Sequence, residues 1–160
     1  MTAGTSSAVV TLPTDTQILI TREFDAPRHL VYRAWTTPEL VRRWWYAERG
    51  EMTGAEIDLR VGGAWRFAMV TPNGFGVVFY GEYREIVPDE RLVWTEIYAA
   101  MPDIETMQTM TLTERDGRTT MTILADHPSG AVRDAVLASG MADGMQDALS
   151  LLERVAVSLR

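Results

Sequence analysis

Glu96 stands out among the polar residues because of the company its spacing gives it. In the run Arg91–Tyr98 (RLVWTEIY), apolar Leu92 and Trp94 alternate with other residues, and a period of two carries Glu96 and Tyr98 to the same side. A carboxyl group among apolar neighbours holds its proton to higher pH than a solvated one and can serve as a general acid or base near neutrality. If the strand ends or bulges before residue 96, the carboxylate sits solvated at a rim instead, and the scarcity of buried unpaired carboxylates favours the rim. Tyr83, at a position alternating with Phe79 and Gly81, has a hydroxyl that needs a partner if it is buried. His127 follows Asp126, but neighbours in an extended segment point opposite ways, so adjacency makes no dyad and a loop histidine without a catalytic task is expected. Glu96, Tyr83 and His127 are thus the candidates for proton transfer, with no catalytic residue assigned.

Other chemistries find less support. The two histidines, His29 and His127, stand in different elements, and neither His-x-x-x-His nor His-Glu-x-x-His occurs, so no metal site is expected. Gly62-Gly63 lies between two strand-like runs without a following helix or a lysine, and reads as a hairpin turn, not a phosphate cradle. There is no Gly-x-Ser-x-Gly elbow and no cysteine, which removes those nucleophiles, thiolate metal sites and disulfides. No cofactor is expected. Arg66 and Tyr80 alternate against Trp65 and Phe79 and belong on the outer surface.

The elements that would position these residues follow a clear order. Residues 1–14 (MTAGTSSAVVTLPT) read as a flexible tail and 15–160 as one domain, which suits a chain of 160 residues with 46% hydrophobic content. Gln17–Phe24 has strand character. Asp25-Ala26-Pro27 offers a cap and an early proline for a helix from Arg28 to Trp35, and Thr37-Pro38-Glu39 opens a second through Leu40, Val41, Trp44 and Trp45. Six alternating runs follow, Glu51–Leu59, Ala64–Val70, Gly76–Val87, Arg91–Tyr98, Thr106–Glu114 and Arg118–Ala125, with turn signals between them. After Pro128-Ser129-Gly130, apolar residues from Val136 to Leu159 recur at helical spacing, predicting one helix over about 131–157. At 1.5 Å per residue it would be roughly 40 Å long, enough to cross most of the sheet.

Trp45, Trp65, Phe67, Met69, Phe79, Tyr83, Trp94, Met110, Met121, Met141 and Met145 admit two readings. They fill the core, or several of them wall an apolar pocket of roughly 300–1,000 Å³ between helix and sheet. Gly140 and Gly144 would each cost a helix interior roughly 0.5–1 kcal/mol relative to Ala, which close packing or ligand volume must offset. Trp44-Trp45-Tyr46 opens a loop-like stretch to Met52 that exposes much apolar surface unless it closes as a lid. The charged residues Arg42, Arg43, Glu48 and Arg49 read as solvated faces.

The motifs Phe24-Asp25-Ala26-Pro27 with Val31-Tyr32-Arg33-Ala34-Trp35, Pro38-Glu39-Leu40 with Arg43-Trp44-Trp45, and Asp58 to Arg66 (DLRVGGAWR) resemble those of the START-like or SRPBCC superfamily. Gly81 to Pro88 (GEYREIVP), Arg91 to Thr95 (RLVWT) and Gly140 to Met145 (GMADGM) fit the same pattern. Within the superfamily the sequence is most similar to the branch of homologues of the heat-shock-protein-90 ATPase activator, over about residues 17–158. The resemblance implies an α+β helix-grip fold: a curved antiparallel sheet of about seven strands, with two short helices after the first, wrapped around a long C-terminal helix with a cavity between. It implies a bacterial single-domain protein that binds a small hydrophobic or aromatic ligand, lipid- or polyketide-like. Aromatase/cyclase relatives imply a second reading, an enzyme using a pocket acid or base. The co-chaperones that name the branch, linked to stress response, imply a third, a protein-interaction module, although they carry an additional domain for which this short chain has no counterpart.

Composition narrows the partners. The net charge of -7, fifteen arginines and no lysine leave no basic stripe for nucleic acid, and no apolar run approaches the roughly 18 residues of a membrane span. Nucleic-acid binding and membrane insertion are not expected, a cytoplasmic location is the default, and a homodimer is the expected form of any self-association.

Overall fold

The computed structural model describes residues 7–46 and 49–160; the first six residues of the expected tail, and Glu48 with its expected place on a solvated face, lie outside them. The chain forms β1 (Val9–Thr11), β2 (Gln17–Phe24), α1 (Arg28–Thr36), α2 (Pro38–Trp44), β3 (Glu51–Ile57), β4 (Ala64–Val70), β5 (Gly76–Val87) and β6 (Arg91–Tyr98). These are followed by β7 (Glu105–Arg115), β8 (Arg118–Asp126), α3 (Gly130–Ala138) and α4 (Met141–Ser158). One antiparallel sheet takes the order β1-β2-β8-β7-β6-β5-β4-β3, so β3 to β8 are the expected six-strand meander and β2 closes back onto its last strand. The eighth strand is β1. Its three residues pair with Leu19–Thr21 where a frayed tail was expected.

Alternation decides which face is covered. In β8, Thr119, Met121, Ile123 and Ala125 are buried while the residues between them are not, and in β2 the buried set is Ile18, Ile20, Arg22 and Phe24. Register shifts at Met52/Gly54 in β3 and Tyr83/Glu85 in β5 mark bulges, which bend a sheet. Gly81 allows a close approach: a Cβ there would collide with the Thr95 carbonyl and the Trp65 indole, whose Nε1 donates to that carbonyl at 3.1 Å.

Two expectations about the helices change. The predicted single C-terminal helix is two, separated at Ser139-Gly140, where Gly140 adopts φ +82° and caps α4. Gly140 therefore carries no helix-interior cost: it makes the left-handed turn that an L residue resists. Asp25 does not cap α1. Pro27 is the cap residue, and the orphan amide of Arg28 donates instead to Glu114 of β7 at 2.7 Å. Asp25 faces Arg118 at 3.3 Å and Arg160 at 3.7 Å. Among the described residues no helix is long and apolar enough to cross a membrane.

The concave face is filled from above by α4, through Ala148, Leu149, Leu152, Val155 and Ala156. Its close backbone neighbours are α1 and α2; side chains fill the gap to the strands. Polar contacts hold it from both halves: Gln146 donates to the Ala8 carbonyl at 2.7 Å and accepts from the Ala8 amide at 2.9 Å, and Glu153 reaches β2. Arg22 has a fully buried side chain, lies over the Phe24 ring at 4.9 Å, and meets Glu153 of α4 at 3.3 Å. It also donates to the Glu23 carbonyl, and the second Glu153 oxygen accepts from the Asp25 amide at 2.9 Å.

Removing one partner of a buried ion pair leaves the other charge uncompensated and costs about 3–5 kcal/mol. Since the Glu153 side chain keeps 19% exposure, the expected loss for Glu153→Ala in urea unfolding is about 2–3 kcal/mol, and pairing it with Arg22→Met should recover most of it. A loss within error of zero would mean that the pair does not hold α4.

Candidate functional site

Under the first half of α4 the concave face is not filled. A cavity of about 160 Å³ lies there, with Trp65 and Phe67 of β4, Tyr83 of β5, Leu92, Trp94 and Glu96 of β6, Gln108 of β7, Ile20 of β2 and Ile123 of β8 as its floor. Met141, Gly144, Met145, Ala148 and Leu149 of α4 form the roof, and Trp35, Trp44, Trp45 and Tyr46 the side. It is smaller than the pocket expected from sequence, and the Trp44-Trp45-Tyr46 segment packs along one side of it. Trp45 packs edge-on to Phe67 at 5.4 Å, to Phe79 at 5.5 Å and to Tyr46 at 4.7 Å between ring centres. Tyr46, at φ +49°, is stacked parallel to Phe79 and lies over Gly144, whose missing Cβ would stand 3.5 Å from the Tyr46 ring.

Of the wall candidates, Trp45, Trp65, Phe67, Tyr83, Trp94, Met141 and Met145 line the cavity. Met110 and Met121 do not: they are fully buried core residues. Met69 is core as well, and Phe79 stands behind Trp45, stacked on Tyr98 at 5.1 Å. Trp35, Trp44, Tyr46, Ile20, Leu92, Gln108, Ile123, Ala148 and Leu149 complete the wall and were not among the candidates. Gln108 had a legible signal, since it interrupts the alternation of Thr106, Met110 and Leu112 on the buried side of β7. Nothing in the sequence announced Trp35, which reaches the site by packing on Trp44 at 4.6 Å and Trp94 at 5.7 Å.

Glu96 is the correction that matters most. β6 continues through Tyr98 without a bulge, so the half-buried carboxyl group lines the cavity. Register sets Gln108 directly beside Trp94 and diagonal to Glu96, and the Trp94 indole donates to Glu96 Oε1 at 3.4 Å. Burial pushes the Glu96 pKa up from its ordinary 4.5, against the smaller opposing pull of hydrogen bonds from Trp94 and Gln108. The Tyr46 hydroxyl is also pushed up, by burial first and then by the nearby Glu96 carboxylate, with Arg49 opposing. Tyr83 is raised by burial and by Tyr32. Neither phenol is a base at neutral pH.

His127 does not reach the cavity. It is buried beyond β8, with Nδ1 3.0 Å from the Thr106 hydroxyl and Nε2 without a partner, and burial pushes its pKa down despite Asp126. Arg66 is exposed on the outer face. Among the described residues no three His, Asp or Glu side chains gather as metal ligands do.

Because the fold raises the Glu96 pKa above its unfolded value, the native state binds that proton more tightly, and the group's contribution to stability falls as pH rises from 4.5 through the folded pKa. Glu96→Gln should therefore gain stability over the parent protein as the pH of urea unfolding is raised from about 4 to about 8. A difference that does not change with pH would place the carboxylate in water.

Comparison with known proteins gives the same architecture. A crystal structure of a protein from Rhodobacter sphaeroides is 27% identical, with TM-score 0.87, over 96% of this chain and 99% of that one. A Nitrosomonas europaea protein (24% identity, TM-score 0.80, 92% and 98% covered) and a Mycobacterium smegmatis protein (23%, 0.81, 96% and 99%) share the fold. No curated protein matches. The family model described as Activator of Hsp90 ATPase homolog 1-like protein matches residues 25–156, which take in α1, α2, the whole meander and nearly all of α4. The chain belongs to that family, within the SRPBCC superfamily whose helix-grip architecture it displays.

Proposed function

We propose that this protein binds one small apolar or aromatic molecule, about the size of a single ring, in the cavity between the sheet and α4. The observation that carries this reading is the wall itself: aromatic rings and two methionines around a space of about 160 Å³, with one carboxyl group and one amide at its floor. An apolar void of about 150 Å³ is enough to hold benzene. Helix-grip relatives commonly hold hydrophobic ligands in the same place, which adds support from the fold. Apolar walls provide affinity, and Glu96 and Gln108 orient a polar atom of the ligand.

The position of Glu96 favours a second reading, an enzyme in which a carboxyl group of raised pKa moves a proton to or from a bound small molecule. A folded polyketide of several rings is too large for the space, so the substrate would be small. The interaction-module reading has less behind it. Among the described residues, exposed large apolar side chains such as Leu59 and Val61 lie at one end of the meander and Phe75 and Met101 at the other.

Toluene and indole are the direct probes. Binding followed by tryptophan fluorescence should saturate at one site, and a ligand at a hundredfold excess over its Kd should add about 2.7 kcal/mol to stability. Gly144→Leu fills the roof beneath Tyr46 while improving helix propensity by several tenths of a kcal/mol or more, so it should abolish binding in a folded protein. Undiminished binding by that variant would put the ligand elsewhere.

A further inference from the structure

The carboxyl group in the cavity has donors but no counter-charge. Glu96 receives the Trp94 indole N–H at 3.4 Å and has Gln108 as its diagonal neighbour on β7. None of the cavity walls is Arg or His, and among the described residues no cation pairs with Glu96. Arg49, near the Tyr46 side of the cavity, is already paired with Asp147 at 2.7 Å. A half-buried carboxylate among apolar walls is stabilised by a proton or by a cation that enters with a ligand.

The rest of the wall is equally suited to positive charge. Trp35, Trp45, Trp65 and Trp94, with Tyr46 and Phe67, present aromatic rings to one small space, and the faces of such rings attract cations, most strongly when water is excluded. The net charge of -7 draws cations toward the molecule and repels anions.

We propose that the cavity selects a small organic cation, a primary or methylated amine on a ring-sized apolar body, whose charge meets the Glu96 carboxylate while the aromatic wall packs the body. This rests on the binding reading above and adds the charge of the ligand. A neutral molecule of the same shape would leave Glu96 without a counter-charge, and an anion would face it directly. Binding should therefore rank amine over alcohol over carboxylate for a common body.

Benzylamine, benzyl alcohol and benzoate, titrated calorimetrically at neutral pH into the full chain and into Glu96→Gln, test this ranking. Benzylamine is expected to bind the parent protein at least tenfold more tightly than benzyl alcohol, with benzoate not binding. In Glu96→Gln the amine should lose its advantage over the alcohol, and toluene, which carries no polar atom for residue 96 to orient, reports whether the cavity still accepts a ring. Equal affinities for amine and alcohol in the parent protein, or an amine preference that survives Glu96→Gln, would overturn the cation proposal and leave the binding reading standing. Failure of all three compounds, and of toluene and indole, would overturn both.

Discussion

A straight helix laid across the concave face of a curved sheet can touch it closely along only part of its length. In this protein the contact is made by the second half of α4, where Leu149, Leu152, Val155 and Ala156 are buried and Glu153 reaches the buried Arg22 of β2. The pair adds direction to a contact that hydrophobic burial alone leaves free to slide, because Glu153 also holds the Asp25 amide at the point where β2 ends. The first half, held at its side by Gln146 on Ala8 and Asp147 on Arg49, roofs the cavity with Met141, Gly144 and Met145. The cavity is the space that remains.

What fills the rim of that space determines its size. The indole of Trp44 donates to the Ala34 carbonyl at 3.0 Å and so locks α2 to α1. The chain then turns inward through Trp45 and the left-handed Tyr46, and a ladder of rings runs from Trp45 to Phe67, Trp65 and, on the other side, Phe79 and Tyr98. Edge-to-face and offset ring pairs each contribute about 0.5–1.5 kcal/mol beyond the area they bury. The ring ladder is thus a stable arrangement on one side of the cavity.

The strands were legible because their signal is local: period-two alternation and turn residues placed β4, β5 and β6 at their observed ends, and β3, β7 and β8 within two residues. The family motifs carried the helix-grip architecture, and the inward side of β6 followed from Leu92 and Trp94. The break in the last helix was less legible, since Gly140 reads as a tolerated interior glycine until its left-handed backbone is seen. Two kinds of fact lay beyond the sequence. Met110 and Met121 alternate as well as any wall residue, and only the depth of packing assigns them to the core. Trp35 enters the site through the packing of α1 against α2 and a strand far away in sequence, a relation no local pattern records.

The pairing of β2 with β8, Gln17 opposite Asp126, sets an order of assembly. β3 to β8 form hairpins between neighbours and can zip as they leave the ribosome, since closing a short loop costs little entropy. β2, α1 and α2 are made first, yet their partners, β8 and α4, are made last. The apolar side of β2 and the α4-facing sides of α1 and α2 therefore wait through the synthesis of about a hundred residues before they are covered. The segment that carries one side of the cavity is also the one most exposed to misassociation in the nascent chain.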